Sequence, residues 1–99
     1  MNITFEDLIK KADKIVHKLQ SLKQKLVTAE SCTGGLLSAS ITSIAGSSDV
    51  FERGYVTYSN RSKIDFLTVP TFFIDDFGAV SKQTAIAMAE GALLMSRAD

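Results

Sequence analysis

Cysteine, proline, histidine and net charge are what this sequence has least of. Among 99 residues there is one cysteine (Cys32), one proline (Pro70) and one histidine (His17). A single cysteine excludes an internal disulfide and any multi-cysteine metal site within the chain. Eleven basic residues balance eleven acidic ones, so bulk electrostatic attraction gives no reason to expect a nucleic-acid partner. No apolar run approaches the roughly 18 residues of a membrane-crossing helix, and no membrane partner is expected. The start, "MNITFEDLIKKADK", lacks the basic-then-apolar order of a secretory signal, so the expected localisation is cytoplasmic. There is no internal repeat and no low-complexity linker.

What remains is an ordinary globular composition, 45% hydrophobic and 22% charged, in a chain of one domain's length. The charge is uneven: six of the eleven basic residues, all lysines, fall in residues 1–25. This reads as a solvated lysine face on a first helix. Apolar residues Phe5, Leu8, Ile9, Ala12, Ile15, Val16, Leu19 and Leu22 recur at helical spacing and predict a helix over 4–22. Thr4 and Asp7 have the spacing of a capping box, and Ile3 and Leu8 that of a hydrophobic staple. A strand is expected over 25–29, a helix over 33–44 stopped by Gly46, a strand over 54–59 and a helix over 60–67 closed by Pro70. "TFFIDDFG" reads as a short strand or an irregular apolar anchor. Ser81 caps a last helix, 82–97, with Ala85, Ile86, Met88, Ala89, Ala92, Leu93 and Met95 available for burial. The alternation predicts an α/β fold with helices covering a sheet. Two strands alone form a marginal sheet with open edges. Asp99 and its carboxylate at a helix C-terminus are unfavourable. Both features suggest a part missing or supplied by another chain.

Three polar clusters carry the chemistry. In the first, Glu30-Ser31-Cys32-Thr33-Gly34-Gly35, glycines allow close backbone approach and the following helix offers unpaired N–H groups that suit a phosphate or an oxyanion. A capped turn with packing glycines fits the same residues. In the second, Gly46, Ser47 and Ser48 suit a backbone nest for an anion, or a plain helix stop. In the third, Tyr58, Ser59, Asn60 and Lys63 bring a tyrosine and a lysine within one helical turn, a pair able to act as base for a serine hydroxyl; the alternative is a surface lysine beside a half-buried tyrosine. Cys32 with His17 is a weak rival, because nothing brings His17 to Cys32, and a buried, unreactive Cys32 is expected.

"TAESCTGG" (28–35), "AGSSDVFERGYVTYSN" (45–60), Lys63, "FGAVS" (77–81) and "MAEGAL" (88–93) together resemble the C-terminal domain of the competence/damage-inducible CinA proteins. The resemblance runs from about residue 5 to 99. It implies an α/β/α layered domain that assembles into homo-oligomers. It further implies hydrolysis of the carboxamide of nicotinamide mononucleotide to nicotinic acid mononucleotide and ammonia, with a small nucleotide as the partner and no metal or organic cofactor. In that reading Ser48, or alternatively Ser31, attacks, and Lys63 and Tyr58 form the base. Glu30, Thr33, Gly34, Gly35, Gly46, Ser47 and Asn60 would line the substrate site. Family members continue past the position of Asp99 with a strand, a "GIAGP"-type loop, a hairpin and a helix. Residues 1–99 are therefore expected to form a single domain with an incomplete sheet, either as an impaired amidohydrolase or as an inactive or oligomerising fragment.

Overall fold

The computed structural model describes residues 3–99. The first helix, α1 (Phe5–Leu22), begins as its sequence requires: Thr4 Oγ1 accepts from the Asp7 N–H at 3.2 Å, and Asp7 Oδ2 accepts from the Thr4 N–H at 3.0 Å. Two donors that a helix start leaves open are thereby paired reciprocally. Strand β1 (Leu26–Glu30) follows, then α2 (Leu36–Thr42), a short 3₁₀ turn (Ser47–Asp49) and strand β2 (Phe51–Val56). Helices α3 (Asn60–Leu67), α4 (Thr71–Phe77) and α5 (Lys82–Met95) complete the chain.

The two strands run parallel, as a strand–helix–strand unit demands, and helices pack on both faces. On one face Ala12 and Val16 of α1, Ile41 of α2 and Val50 form a buried cluster, with Leu26 and Phe51 packed against it. On the other face Leu67, Val69, Ile74, Ala87, Met88 and Ala92 are buried, with Val27, Ala29 and Tyr55 against them. Consecutive residues Leu26 and Val27 thus serve opposite layers, as the pleat of a strand dictates. The architecture is the expected α/β/α layering on a narrow sheet.

Several boundaries differ from expectation. "TFFIDDF" is helix α4, not a strand: Pro70 stands at its start, where the missing N–H costs nothing. The second helix spans seven residues, Leu36–Thr42, because Thr33 to Gly35 are consumed by a turn. Gly46 (φ 84°) does not cap that helix; it opens the 3₁₀ turn. The second strand begins three residues earlier than its β-rich run "GYVTYS" suggested. Asp99 does not sit on a helix end: α5 stops at Met95, and Asp99 crosses to Lys25, donating its N–H to the Lys25 carbonyl (2.9 Å) and accepting the Lys25 N–H on Oδ2 (2.8 Å).

The outer edge of β1 is open among the described residues. Leu26 donates toward β2, to the Val50 carbonyl, and the Glu30 carbonyl accepts from Thr57 N–H. Strand groups alternate sides, so those of Val27 and Ala29 face the free edge, while those of Lys25 before them are taken by Asp99. A groove of about 320 Å³ runs along it between the layers, walled by Ile15, Leu37 and Ile41 on one side and Ala85, Ala89 and Ala92 on the other. Ala85 and Ala89 are consequently exposed, and Ile86, Leu93 and Met95, expected in the core, are each close to half exposed.

Candidate active site

The C-terminal ends of parallel strands gather the polar residues. Glu30, the last residue of β1, is buried at 2% exposure. Its carboxylate accepts four hydrogen bonds. Oε1 takes the Thr33 hydroxyl and the Leu37 N–H, both at 2.8 Å. Oε2 takes the Ser38 N–H at 3.0 Å and the Ser38 hydroxyl at 2.6 Å. Burial alone would raise this carboxyl's pKa, but the bonds from Ser38, Leu37 and Thr33 together outweigh it and hold the group below the ordinary value of 4.5. Glu30 therefore acts as an internal anion at the start of α2, with both carboxylate oxygens occupied by donors from the turn and the helix.

Between Glu30 and α2 the chain makes a tight turn. Gly34 donates to the Ser31 carbonyl and Leu36 to the Thr33 carbonyl. Gly35 has φ 110°, a conformation only glycine adopts without strain. The glycine pair thus serves backbone geometry. The N–H groups of Cys32, Thr33 and Gly35 have no partner among the described residues. Those of Leu37 and Ser38, in the first turn of α2, are taken by Glu30.

Lys63 lies on α3, fully buried at 0% exposure. It is not the surface lysine that its charge alone would suggest. Nζ donates to the Thr57 carbonyl (2.9 Å), the Tyr58 carbonyl (2.8 Å) and Ser31 Oγ (3.0 Å). No carboxylate pairs with it among the described residues. Burial pushes the amine below the ordinary lysine value of 10.5; the neighbouring Cys32 thiol acts in the opposite, weaker sense. The Ser31 hydroxyl in turn donates to the Tyr58 carbonyl at 3.4 Å, so Lys63 and Ser31 share that acceptor at the end of the sheet.

The first and third clusters therefore meet, but through different atoms than expected. Tyr58 contributes its carbonyl; its side chain is 73% exposed and is not half-buried against Lys63. Asn60 is exposed at the start of α3, whose cap is Ser59, accepting the Ser62 N–H at 3.0 Å. Cys32 is exposed, contrary to expectation. His17 is engaged on α1, its Nδ1 lying 2.7 Å from the Asp13 carbonyl oxygen.

The second cluster does not join them. Gly46, Ser47 and Ser48 precede β2, beside the start of β1: Gln20 Nε2 donates to the Gly46 carbonyl at 3.0 Å, and Lys25 Nζ donates to the Asp49 carbonyl. Ser48 and Lys63 thus stand at opposite ends of the sheet, about 16 Å apart at ~3.3 Å per strand residue. The expectation that Ser48 shares a crevice with Lys63 is not met within the chain. Ser47 is buried, donating to the Thr42 carbonyl at 3.4 Å.

Beside Ser31 lies a cleft of about 410 Å³, lined by Glu30–Thr33 on one side and by Leu37, Val80, Ser81 and Met88 among others. Other cavities of similar size, between the lysines of α1 and near Lys25, contain no comparable chemistry. No group of three or more His, Cys, Asp or Glu side chains suited to a metal ion occurs among the described residues, and no described helix is long and apolar enough to cross a membrane. Two contributors escaped the sequence reading, Ser38 and Thr57. Ser38, in the first turn of α2, completes the Glu30 cage. Thr57 supplies a carbonyl to Lys63 and keeps a buried hydroxyl without a partner. The signal for Ser38 was present, a hydroxyl in the first turn of a helix preceded by a carboxylate. Thr57 acts through its backbone, which no side-chain pattern reveals.

Comparison with known proteins places this arrangement in context. Residues 8–99 match the CinA C-terminal domain. A CinA-like protein of Colwellia psychrerythraea is 51% identical over 88 residues, covering 89% of this chain but 20% of that protein. A putative competence-damage inducible protein of Caldicellulosiruptor bescii is 46% identical over 85 residues, covering 86% of this chain and 21% of that protein. A solved competence/damage-inducible protein of Agrobacterium tumefaciens superposes with a TM-score of 0.91 at 49% identity, over 99% of this chain and 59% of that one. A CinA-superfamily structure from Escherichia coli gives 0.88 at 31% identity, over 97% of this chain and 54% of that one. The chain spans about a fifth of the curated relatives' length and somewhat over half of these solved chains.

Proposed function

Because this chain belongs to the CinA C-terminal domain family, we propose that it hydrolyses the carboxamide of nicotinamide mononucleotide, with Ser31 as nucleophile and Lys63 as its base. The single observation that carries this reading is the 3.0 Å contact between a fully buried, carboxylate-free Lys63 amine and Ser31 Oγ. A lysine is a useful base only when neutral, and desolvation favours the neutral form.

The chemistry then follows from the site. Neutral Lys63 takes the Ser31 hydroxyl proton as Oγ attacks the carboxamide carbon. The tetrahedral oxyanion needs preorganised donors, and the unpartnered N–H groups of Cys32, Thr33 and Gly35 are the candidates nearest the nucleophile. Lys63, now an ammonium, returns its proton to the departing nitrogen, which leaves as ammonia. Water, deprotonated by the same amine, releases the nicotinic acid mononucleotide from Ser31. Purified chain incubated with nicotinamide mononucleotide is expected to release ammonia, and Ser31→Ala or Lys63→Ala to lower the rate by roughly a thousandfold or more. Ser48→Ala is expected to stay within about twofold, because Ser48 lies at the far end of the sheet. Absence of ammonia, or a Ser31→Ala variant as active as the parent, would refute the proposal.

A second reading rests on the free edge of β1. Its outward-facing backbone groups and the apolar groove beside it suit self-association. In that reading the chain is an oligomerising fragment, and the 3.0 Å contact is a relic without turnover.

A further inference from the structure

We infer that Glu30 is the positioning residue of Ser31: its caged carboxylate fixes the turn that holds Ser31 Oγ against Lys63, and it makes no contact with substrate. The inference deepens the amidohydrolase reading and rests on it for the role of Ser31, though not for the identity of the substrate.

Three observations support it. Glu30 precedes Ser31 directly, so any shift of its side chain or backbone is passed to the nucleophile across one peptide. Its four donors come from Thr33, Leu37 and Ser38, which bracket the turn on both sides of the glycine pair. The carboxylate ties the end of β1, the turn and the first turn of α2 into one rigid unit. Finally, both oxygens already hold two donors each at 2.6–3.0 Å, and the residue is 2% exposed. No acceptor capacity is left for a ligand.

The cage is also specific to a carboxylate. All four partners are donors, or hydroxyls acting as donors, so four acceptor lone pairs are needed. A glutamine of the same shape supplies an amide NH₂ where two donors must be met. One side of the cage would then face donor against donor, and the turn would move. A displacement of about 1 Å in a nucleophile costs on the order of a hundredfold in rate.

The test uses the full chain, with two readouts for each variant: ammonia release from nicotinamide mononucleotide, and the labelling rate of Ser31 by a fluorophosphonate, which needs a positioned serine but no particular substrate. Glu30→Gln is expected to lower both kcat and the labelling rate at least tenfold, with KM within about threefold. Ser38→Ala, which removes one of the four donors, should lower them less and in the same proportion. Val16→Ala, in the opposite core cluster, serves as a stability control and should leave labelling unchanged at a comparable loss in Tm. Should Glu30→Gln not fold, Ser38→Ala carries the test. The inference is overturned if Glu30→Gln labels like the parent, if it raises KM alone, or if Val16→Ala reproduces its loss. A parent chain that labels at Ser31 yet releases no ammonia removes the substrate assignment and leaves Glu30 to be judged on labelling. A parent chain that does neither overturns both.

Discussion

A buried lysine without a carboxylate is costly, because desolvation opposes its charge. In this chain burial lowers the Lys63 pKa, in the direction of the state a general base needs. The direction of the shift has a kinetic consequence. The free-amine fraction of Lys63 grows as pH rises, so kcat/KM should climb and level off above an apparent pKa lying below 10.5. A pH–rate profile of the free enzyme checks this; a profile flat from pH 6 to 10 would remove Lys63 from the base role. The sign for stability is the same. Between the lowered folded value and the ordinary value of 10.5 the unfolded chain binds more protons, so stability attributable to this group rises with pH across that window. Tyr58 illustrates the converse. Its ring is 73% exposed and only its carbonyl meets Lys63, so Tyr58→Phe should leave the profile unchanged.

Between elements, α5 comes close to the end of α3. A Cβ built on Gly91 would lie 1.8 Å from the Leu67 carbonyl oxygen, a backbone atom that cannot turn aside. Leu67 and Ala92 are both buried in the same cluster, so the two helices cannot separate without opening the core. Gly91→Ala should cost at least ~1–3 kcal/mol, read as a lowered midpoint in urea denaturation. Gains in helix propensity from Gly to Ala, about 1 kcal/mol, work against this, so a variant as stable as the parent would show that α5 can shift. The α4 helix belongs to the same scale. Its sequence "TFFIDDF" is rich in residues favoured in strands, yet only Ile74 is buried. Pro70 at its start and Gly78 (φ 85°) at its end delimit a single short amphipathic piece that rests on α5.

At the level of the whole molecule the sheet is the weak point. Two strands carry two separate clusters, and the radius of gyration, 14.0 Å, exceeds the ~12.6 Å expected for a compact chain of this length. Large apolar side chains such as Phe66, Phe72, Val80 and Leu94 are more than half exposed. Exposed apolar area of this kind, together with an open strand edge, favours association. Sedimentation velocity of the isolated chain should show species larger than a monomer. Ala89→Lys, which places a charge in the groove beside β1 at an exposed helical position, should shift them toward monomer with little loss of stability. A parent chain that sediments as a monodisperse monomer would exclude this route.

Much of this protein was written locally. Thr4 with Asp7 made the capping box its spacing implied, and Ser81 capped the last helix as expected, accepting the Thr84 N–H. The helical stripe of 5–22 formed its helix, and the motifs around Ser31 and Lys63 carried the family and the layered fold. Such features depend on neighbours a few residues away, and sequence displays those directly. What the sequence left open was decided by the direction of the strands. Because β1 and β2 run parallel, the residues after each strand, Ser31 and Tyr58 to Lys63, come together at one end. Ser48, which precedes β2, is carried to the other. Which of the two serines meets Lys63 was therefore a matter of topology, and the burial that lowers the Lys63 pKa exists only once α3 has packed.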